Sequence, residues 1–69
     1  METKEIAFVR LPELLAMLKM ARSTVYGRMN PRSRSFDARF PKKIKDGGRV
    51  LWVRQEVEAW MLTLSNNRP

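Results

Sequence analysis

Cysteine and histidine are both absent from this chain of 69 residues. Their absence excludes disulfide bonds and the usual zinc sites, so we expect no bound metal and no cofactor. The chain also lacks a glycine-rich phosphate loop and any nucleophile paired with a base. Glu56 and Glu58 make a poor catalytic pair, because residues two apart on a helix do not face each other. We therefore expect no enzymatic activity and no small-molecule substrate.

Long apolar runs are absent as well. No stretch approaches the length of a membrane span, and the first residues lack the pattern of a signal peptide. We expect a cytoplasmic protein without a membrane partner, and a chain without cysteine is compatible with that reducing compartment. At this length we expect one domain over residues 1–69, with flexible ends at 1–5 and 66–69 and a loop at 30–39.

A domain of this size has little room for a core and must build it from large side chains. Aromatic residues bury the most surface per side chain, so they are the first candidates for the core. These candidates are Trp52, Trp60, Phe8, Phe36, Phe40 and Tyr26.

Acidic residues are few, and the charge is unevenly distributed. Fourteen Lys and Arg against seven Asp and Glu give a net charge of +7 and a pI of about 10.9. Between Lys19 and Arg54 there are eleven basic and two acidic residues, a net charge of +9, whereas the two ends together carry −2. A charge run is usually a solvated face, but segregation this strong favours a nucleic-acid partner. We place the binding surface in the central segment and not at the ends.

The first half of the chain predicts a short strand followed by two helices. Residues 6–10 are mostly apolar and compatible with a strand, and Pro12 favours the first turn of a helix. The core-facing leucines of that helix recur at helical spacing at Leu11, Leu14, Leu15 and Leu18. A second, basic helix opens after a tight turn near Ala21, which is a poor capping residue. Two short helices joined in this way are typical of a helix-turn-helix.

The second helix is the candidate recognition helix. Val25 and Met29 lie four residues apart and so share the face that packs on the core. The other side chains leave an outward surface of hydroxyls, a guanidinium and the exposed backbone at the glycine. We expect Thr24 and Arg28 to face a DNA major groove, where Arg can reach guanine O6 and N7. A surface helix kept soluble by a few charges is the alternative. The candidate DNA-binding residues are Arg22, Ser23, Thr24, Tyr26, Gly27 and Arg28.

The loop at 30–39 begins at Asn30-Pro31, which stops the second helix. Its arginines are Arg32, Arg34 and Arg39. They are candidates for phosphate contacts that order on binding, or else they belong to a solvated, partly disordered loop.

The sequence Asp46-Gly47-Gly48 lies between two β-compatible runs and predicts a hairpin, because the glycines supply the positive φ of a tight turn. A basic hairpin after a helix-turn-helix is a wing, which contacts the minor groove or phosphates. Its candidate DNA-binding residues are Lys42, Lys43, Lys45 and Arg49. A third helix from Arg54 to about Ser65 completes the scaffold, with an apolar stripe at Val57, Trp60, Met61 and Leu64.

Several of these segments together resemble the AlpA family of phage and prophage regulators. They are Arg10-Leu11-Pro12-Glu13, residues 20–26 (MARSTVY), Phe40-Pro41-Lys42-Lys43, and Trp52 followed by residues 56–60 (EVEAW). The resemblance covers about Phe8 to Leu64, and the family is similar to phage excisionases and to the helix-turn-helix of the MerR group. It implies an α+β winged helix-turn-helix with three helices, a short N-terminal strand and a β-hairpin wing. By position, the recognition helix is Arg22 to Met29 and the wing Lys42 to Trp52.

Two hypotheses for function follow from this resemblance and from the charge. The first is a sequence-specific transcriptional regulator that binds double-stranded DNA of a phage or prophage element. It would control integrase expression or act as a directionality factor in excision. We expect a monomer in solution, or several copies bound side by side on DNA. The second is a small protein-binding inhibitor that docks on an acidic partner such as a response regulator. A membrane-surface peptide is disfavoured, because the apolar stripes are needed for the core.

Overall fold

A computed structural model describes residues 6–67. It contains three helices and three strands, in the order β1 (Phe8–Val9), α1 (Leu11–Leu18), α2 (Arg22–Met29), β2 (Ile44–Asp46), β3 (Arg49–Val53) and α3 (Arg54–Asn66). The strands form one antiparallel sheet in the order β1-β3-β2. This confirms the predicted α+β winged helix-turn-helix. Flexible ends were expected at residues 1–5 and 66–69. Residues 1–5 and 68–69 lie outside the described residues, whereas Asn66 is the last residue of α3 and Asn67 follows it as the C-cap.

Helix α1 begins and ends where its sequence signals predicted. Arg10 is the extended residue before the helix, and its amide donates to Glu13 Oε1 at 2.9 Å. Glu13 therefore satisfies a backbone donor in addition to favouring the helix dipole. The helix ends at Lys19, which adopts the left-handed conformation with φ of 55°. The Lys19 amide donates to the Leu15 carbonyl at 2.7 Å, and this closes the turn that leads into α2.

Replacing Lys19 with glycine should stabilise the protein. A side chain in the left-handed region costs about 1–2 kcal/mol, and glycine removes that cost at the expense of some unfolded-state entropy. We expect a net gain of about 1 kcal/mol, which for a domain of this size raises the melting temperature by roughly 4–8 °C. Lys19→Ala is the matched control, since it removes the same charge but keeps Cβ. Equal melting temperatures for the two variants would contradict this explanation.

Helix α2 has no side-chain cap at its N-terminus, as the sequence predicted. Ala21 is the N-cap residue, and its carbonyl accepts from the Val25 amide at 3.2 Å. At the other end Asn30 is extended, with φ of −93° and ψ of 115°, as expected for a residue before proline. The helix therefore comprises the eight residues between Ala21 and Asn30.

The loop after α2 is a series of hydrogen-bonded turns. The Asn30 carbonyl accepts from the Ser33 amide, and the Ser33 carbonyl accepts from the Phe36 amide. The Asp37 amide then returns to α2 and donates to the Arg28 carbonyl at 2.9 Å. The loop is thus fastened to the end of the helix that it follows.

The wing is a hairpin with a two-residue turn. Asp46 pairs with Arg49 across Gly47 and Gly48. Only Gly47 has a positive φ, at 61°, so the expectation that both glycines supply it is wrong for Gly48. A turn with positive φ at its first central position alone resembles type II′, which needs glycine only there.

The sheet also joins β1, near the start of the described chain, to β3, the second strand of the wing. β1 pairs with β3, with Phe8 opposite Val53 and Val9 opposite Trp52. The Arg54 amide donates to the Ala7 carbonyl at 2.7 Å and extends this contact to the start of α3. The wing therefore projects from a strand that is held on its other side by β1.

The core combines residues from the three helices, from strands β1 and β3, and from the segment before β2. Its buried members are Val9, Leu14, Val25, Phe40, Trp52, Val57 and Trp60. Three of the six aromatic candidates are wrong, because Phe8, Phe36 and Tyr26 are exposed. Leu64 is also exposed, because it lies in the last turns of α3, beyond the part of this helix that packs against the core. The apolar stripe of α3 contributes to the core through its first two turns.

Trp60 connects α3 to the loop and to α2. Its indole Nε1 donates to Asp37 Oδ2 at 2.9 Å, and its ring meets the Phe40 ring edge-on with centroids 4.8 Å apart. The Arg28 guanidinium lies over the same indole, 5.8 Å from its centroid. The indole hydrogen bond, the Arg39 amide and the Arg28 and Arg39 charges hold the pKa of the Asp37 carboxyl below its usual range, against a smaller opposing effect of desolvation. Asp37 is therefore ionised at neutral pH.

Candidate nucleic-acid interface

The N-terminal half of α2 presents exposed side chains to solvent. Arg22, Ser23 and Thr24 are all exposed, while Val25 is completely buried and anchors the helix on the core. Tyr26 follows with 47% of its surface exposed. In helix-turn-helix proteins the first residues of the recognition helix are the ones that contact base edges. Four of the six predicted α2 residues are thus exposed, and their contact with DNA stays a prediction.

Gly27 is covered rather than bare. A Cβ at this position would lie 2.7 Å from Ser35 Oγ and 3.3 Å from Ser33 Oγ, and these two hydroxyls are hydrogen bonded at 2.9 Å. The expectation that Gly27 exposes backbone for DNA is therefore wrong. The missing side chain instead lets the loop approach α2 closely, a requirement that depends on residues outside the helix.

Arg28 does not project freely from α2. It is half-buried, and its Nε is buried without a hydrogen-bond partner in the described part of the chain. Its guanidinium lies on Trp60, and its charge also acts on Asp37. The expected outward orientation is wrong, because the guanidinium packs over the face of the Trp60 indole instead.

The loop arginines are exposed on ordered turns. The Arg32 amide donates to Asn30 Oδ1 at 3.0 Å, and the Arg39 amide donates to Asp37 Oδ1 at 2.9 Å. Arg34 lies between these turns and is also exposed. None of the three side chains forms an ion pair within residues 6–67. Their phosphate contacts stay a prediction.

The wing presents three lysines without ion-pair partners in the described region. Lys42, Lys43 and Lys45 are exposed, and Lys45 lies on β2 itself. Arg49 differs, since its Nη2 lies 2.5 Å from Asp46 Oδ2 across the turn. Both members of that pair are more than half exposed, so the pair adds little stability and would not prevent Arg49 from turning to another anion.

A crevice joins α2 to the wing. It has a volume of about 240 Å³ and is lined by Arg10, Leu11, Pro12, Tyr26, Lys43, Val50 and Trp52. It brings together Tyr26 and Lys43, which the sequence assigned to separate parts of the interface. Arg10 was missed, because counting charge along the chain placed it in the acidic end segments. Its position depends on the pairing of β1 with β3, which the sequence does not reveal.

The described part of the chain offers donors and positive charge rather than metal ligands. No group of three or more potential metal-ligating side chains comes together within residues 6–67. No helix in that range is long and apolar enough to cross a membrane. The guanidinium, ammonium and hydroxyl groups of this surface are of the kind that can bind an anionic partner.

Comparison with known proteins identifies a family and two relatives. The family model described as "Prophage CP4-57 regulatory protein (AlpA)" matches residues 7–64. The "DNA-binding transcriptional activator AlpA" of Escherichia coli (strain K12) is 39% identical over 57 residues, which cover 81% of each chain. The "Uncharacterized protein ORF88" of Enterobacteria phage P4 is 34% identical over 55 residues, or 78% of this chain and 56% of that protein. No solved structure matches significantly.

Proposed function

Because the chain belongs to the AlpA family of prophage regulatory proteins, we propose that it binds double-stranded DNA sequence-specifically and regulates transcription in a phage or prophage element. The observation that carries this proposal is the exposed N-terminal half of α2, together with a wing that has three unpaired lysines within the described residues and shares a crevice with Tyr26 of the same helix. The relative named as a DNA-binding transcriptional activator supports it.

Sequence would be read by the first turns of α2. Arg22 can reach guanine O6 and N7, and Thr24 can contact a thymine methyl group or a base-edge acceptor. Ser23 is small enough to let the helix enter the groove closely. We assign Arg28 a supporting role, because its guanidinium packs on Trp60 and so connects α2 to α3.

The wing and the loop would contact phosphates. Lysines have no planar fork for bidentate base recognition and act as point charges, so the wing contributes affinity and register rather than sequence information. The exposed loop arginines are further candidates for such contacts. We assign sequence reading to α2 and phosphate binding to the wing and loop.

Removing two wing lysines should flatten the salt dependence of binding. Each neutralised phosphate contributes roughly 0.9 to the slope of log K against log salt, so Lys43→Ala with Lys45→Ala should reduce the slope by about 1–2. Affinity should fall by similar factors on specific and random DNA, as measured by fluorescence anisotropy over a salt series. Arg54→Ala is the control, since Arg54 pairs with Glu58 at 3.2 Å on α3. An unchanged slope for the lysine variant would place the wing away from DNA.

We propose further that the regulated process is integrase expression or excision of the element. Footprinting over the integrase promoter and the attachment sites would locate the binding sites, and deletion of the gene should change integrase-reporter output or excision frequency. Binding at the promoter with altered reporter output would assign a transcriptional role. Binding at the attachment site with altered excision alone would assign a directionality role. Protection at neither region would refute both.

A protein-docking function is the second candidate, and one groove favours it. This groove has a volume of about 360 Å³, and its walls include the apolar residues Met29, Phe36, Phe40 and Pro41. Lys42 and Lys43 lie at the same groove and would favour an acidic segment. Binding of an acidic protein partner with no affinity for DNA would support this function over the first.

A further inference from the structure

We infer that Arg10, Tyr26 and Lys43 together bind a single phosphate of the DNA backbone in the crevice between the helices and the wing. The inference rests on the proposed DNA binding, and it adds a residue, Arg10, and a shared phosphate that neither the sequence pattern nor the family match assigns. Arg10 belongs to an end of the chain whose net charge is negative, so only the folded arrangement places it at this surface.

Residues with three kinds of hydrogen-bond donor line the crevice. They are Arg10 with its guanidinium, Tyr26 with its phenol and Lys43 with its ammonium, and all three residues are exposed. None of their side chains has an ion-pair partner within residues 6–67. Arginine, lysine and tyrosine are each common donors to phosphate oxygens. The matching ligand is a tetrahedral anion with several acceptors, which is what a phosphodiester offers.

The walls of the crevice strengthen such a contact. Leu11, Val50 and Trp52 supply apolar surface, and Trp52 is only 1% exposed. Charge-assisted hydrogen bonds gain strength where water is partly excluded. Pro12, in the first turn of α1, has no amide proton to offer.

The backbone of Arg10 is fixed, which keeps its side chain beside the wing. Its amide donates to Glu13 Oε1 and its carbonyl accepts from the Leu14 amide, both at 2.9 Å. The preceding residue, Val9, is buried and pairs with Trp52 on the strand that carries the wing. The backbones that carry Arg10 and Lys43 are therefore held by the same sheet, and little backbone entropy is lost when a phosphate is bound.

Phosphate-by-phosphate neutralisation tests this inference. A bound duplex is prepared with a methylphosphonate at each backbone position in turn, and the dissociation constant is measured for the wild-type protein, Arg10→Ala and Lys43→Ala. We expect one position where neutralisation weakens wild-type binding about tenfold, consistent with a charge-assisted contact. Arg10→Ala should weaken binding to unmodified DNA about tenfold and lower the salt slope by up to about 0.9. Neutralisation at that position should then cost less than in the wild type, because only Lys43 and Tyr26 still contact the phosphate.

Matched variants separate phosphate binding from structural support. Arg10→Lys keeps the charge and should recover part of the affinity, and Tyr26→Phe removes only the hydroxyl and should weaken binding by about threefold. Arg54→Ala should leave the methylphosphonate profile unchanged. All variants should melt near the wild-type temperature, because the side chains concerned are exposed. Inorganic phosphate at constant ionic strength should not displace DNA, and displacement would reassign the crevice to free phosphate.

The outcomes distinguish this inference from the function on which it rests. A wild-type protein without affinity for DNA would overturn both. DNA binding that keeps its affinity, salt slope and methylphosphonate profile in Arg10→Ala would overturn the inference alone and leave the proposed function standing.

Discussion

Trp60→Ala is expected to unfold the protein. Trp60 is 3% exposed, packs edge-on against Phe40 and donates to Asp37, so its removal empties the centre of the core and leaves the loop without its hydrogen bond to α3. Truncating a buried tryptophan costs about 3–5 kcal/mol. A single core of this size rarely supplies more than about 3–5 kcal/mol in total. Circular dichroism at 25 °C should show loss of helix before any DNA is added.

Trp60→Phe is the matched control for that result. It keeps an aromatic ring beside Phe40 but removes the indole N–H, which leaves the Asp37 carboxylate without that donor. We expect a folded protein destabilised by about 1–3 kcal/mol, measured by urea denaturation. A well-folded Trp60→Ala variant that had lost only DNA binding would mean that Trp60 is a contact residue.

The largest expected effect on recognition comes from α2. Arg22→Ala with Thr24→Ala should weaken binding to the specific site by at least about 1–3 kcal/mol, because a good bidentate contact such as Arg22 can make contributes that much discrimination and Thr24 adds a single contact. Both residues are exposed, so the melting temperature should barely change. Random DNA should lose only the smaller contribution of the Arg22 charge.

Arg28→Ala serves as the comparison within the same helix. Its guanidinium lies on Trp60 and its Nε is buried, so we expect lower stability and similar losses of affinity on specific and random DNA. Titrations of the α2 variants against both DNAs measure this difference. A selective loss of specific binding in Arg28→Ala, with none in the Arg22 and Thr24 variant, would reverse the assignment.

Signals that depend on neighbouring residues predicted most of the fold. Pro12 marks the start of α1, Asn30-Pro31 ends α2, and Asp46-Gly47-Gly48 forms the turn of the wing. Each of these acts through the φ of one residue or through a hydrogen bond within a few residues, and such constraints hold in almost any tertiary setting. Helix and hairpin positions were therefore predictable.

The parts of the site that were not predictable depend on contacts between distant segments. Asp37 and Trp60 are 23 residues apart, and their hydrogen bond determines where the loop lies and which side of Arg28 is covered. Gly27 is needed because Ser35 arrives from that loop. Helical periodicity identifies the face that packs on the core, but it cannot show that a loop covers part of the opposite face.

Whether α2 reads DNA sequence is tested most directly by one ratio of dissociation constants. The protein selects its preferred site from a pool of random duplexes, and fluorescence anisotropy at physiological salt compares that site with a scrambled duplex of the same composition. We expect a preference on the order of 10³-fold or more for the selected site. This preference should collapse in the Arg22 and Thr24 double variant. Equal affinity of the wild-type protein for both duplexes would mean that α2 does not read sequence.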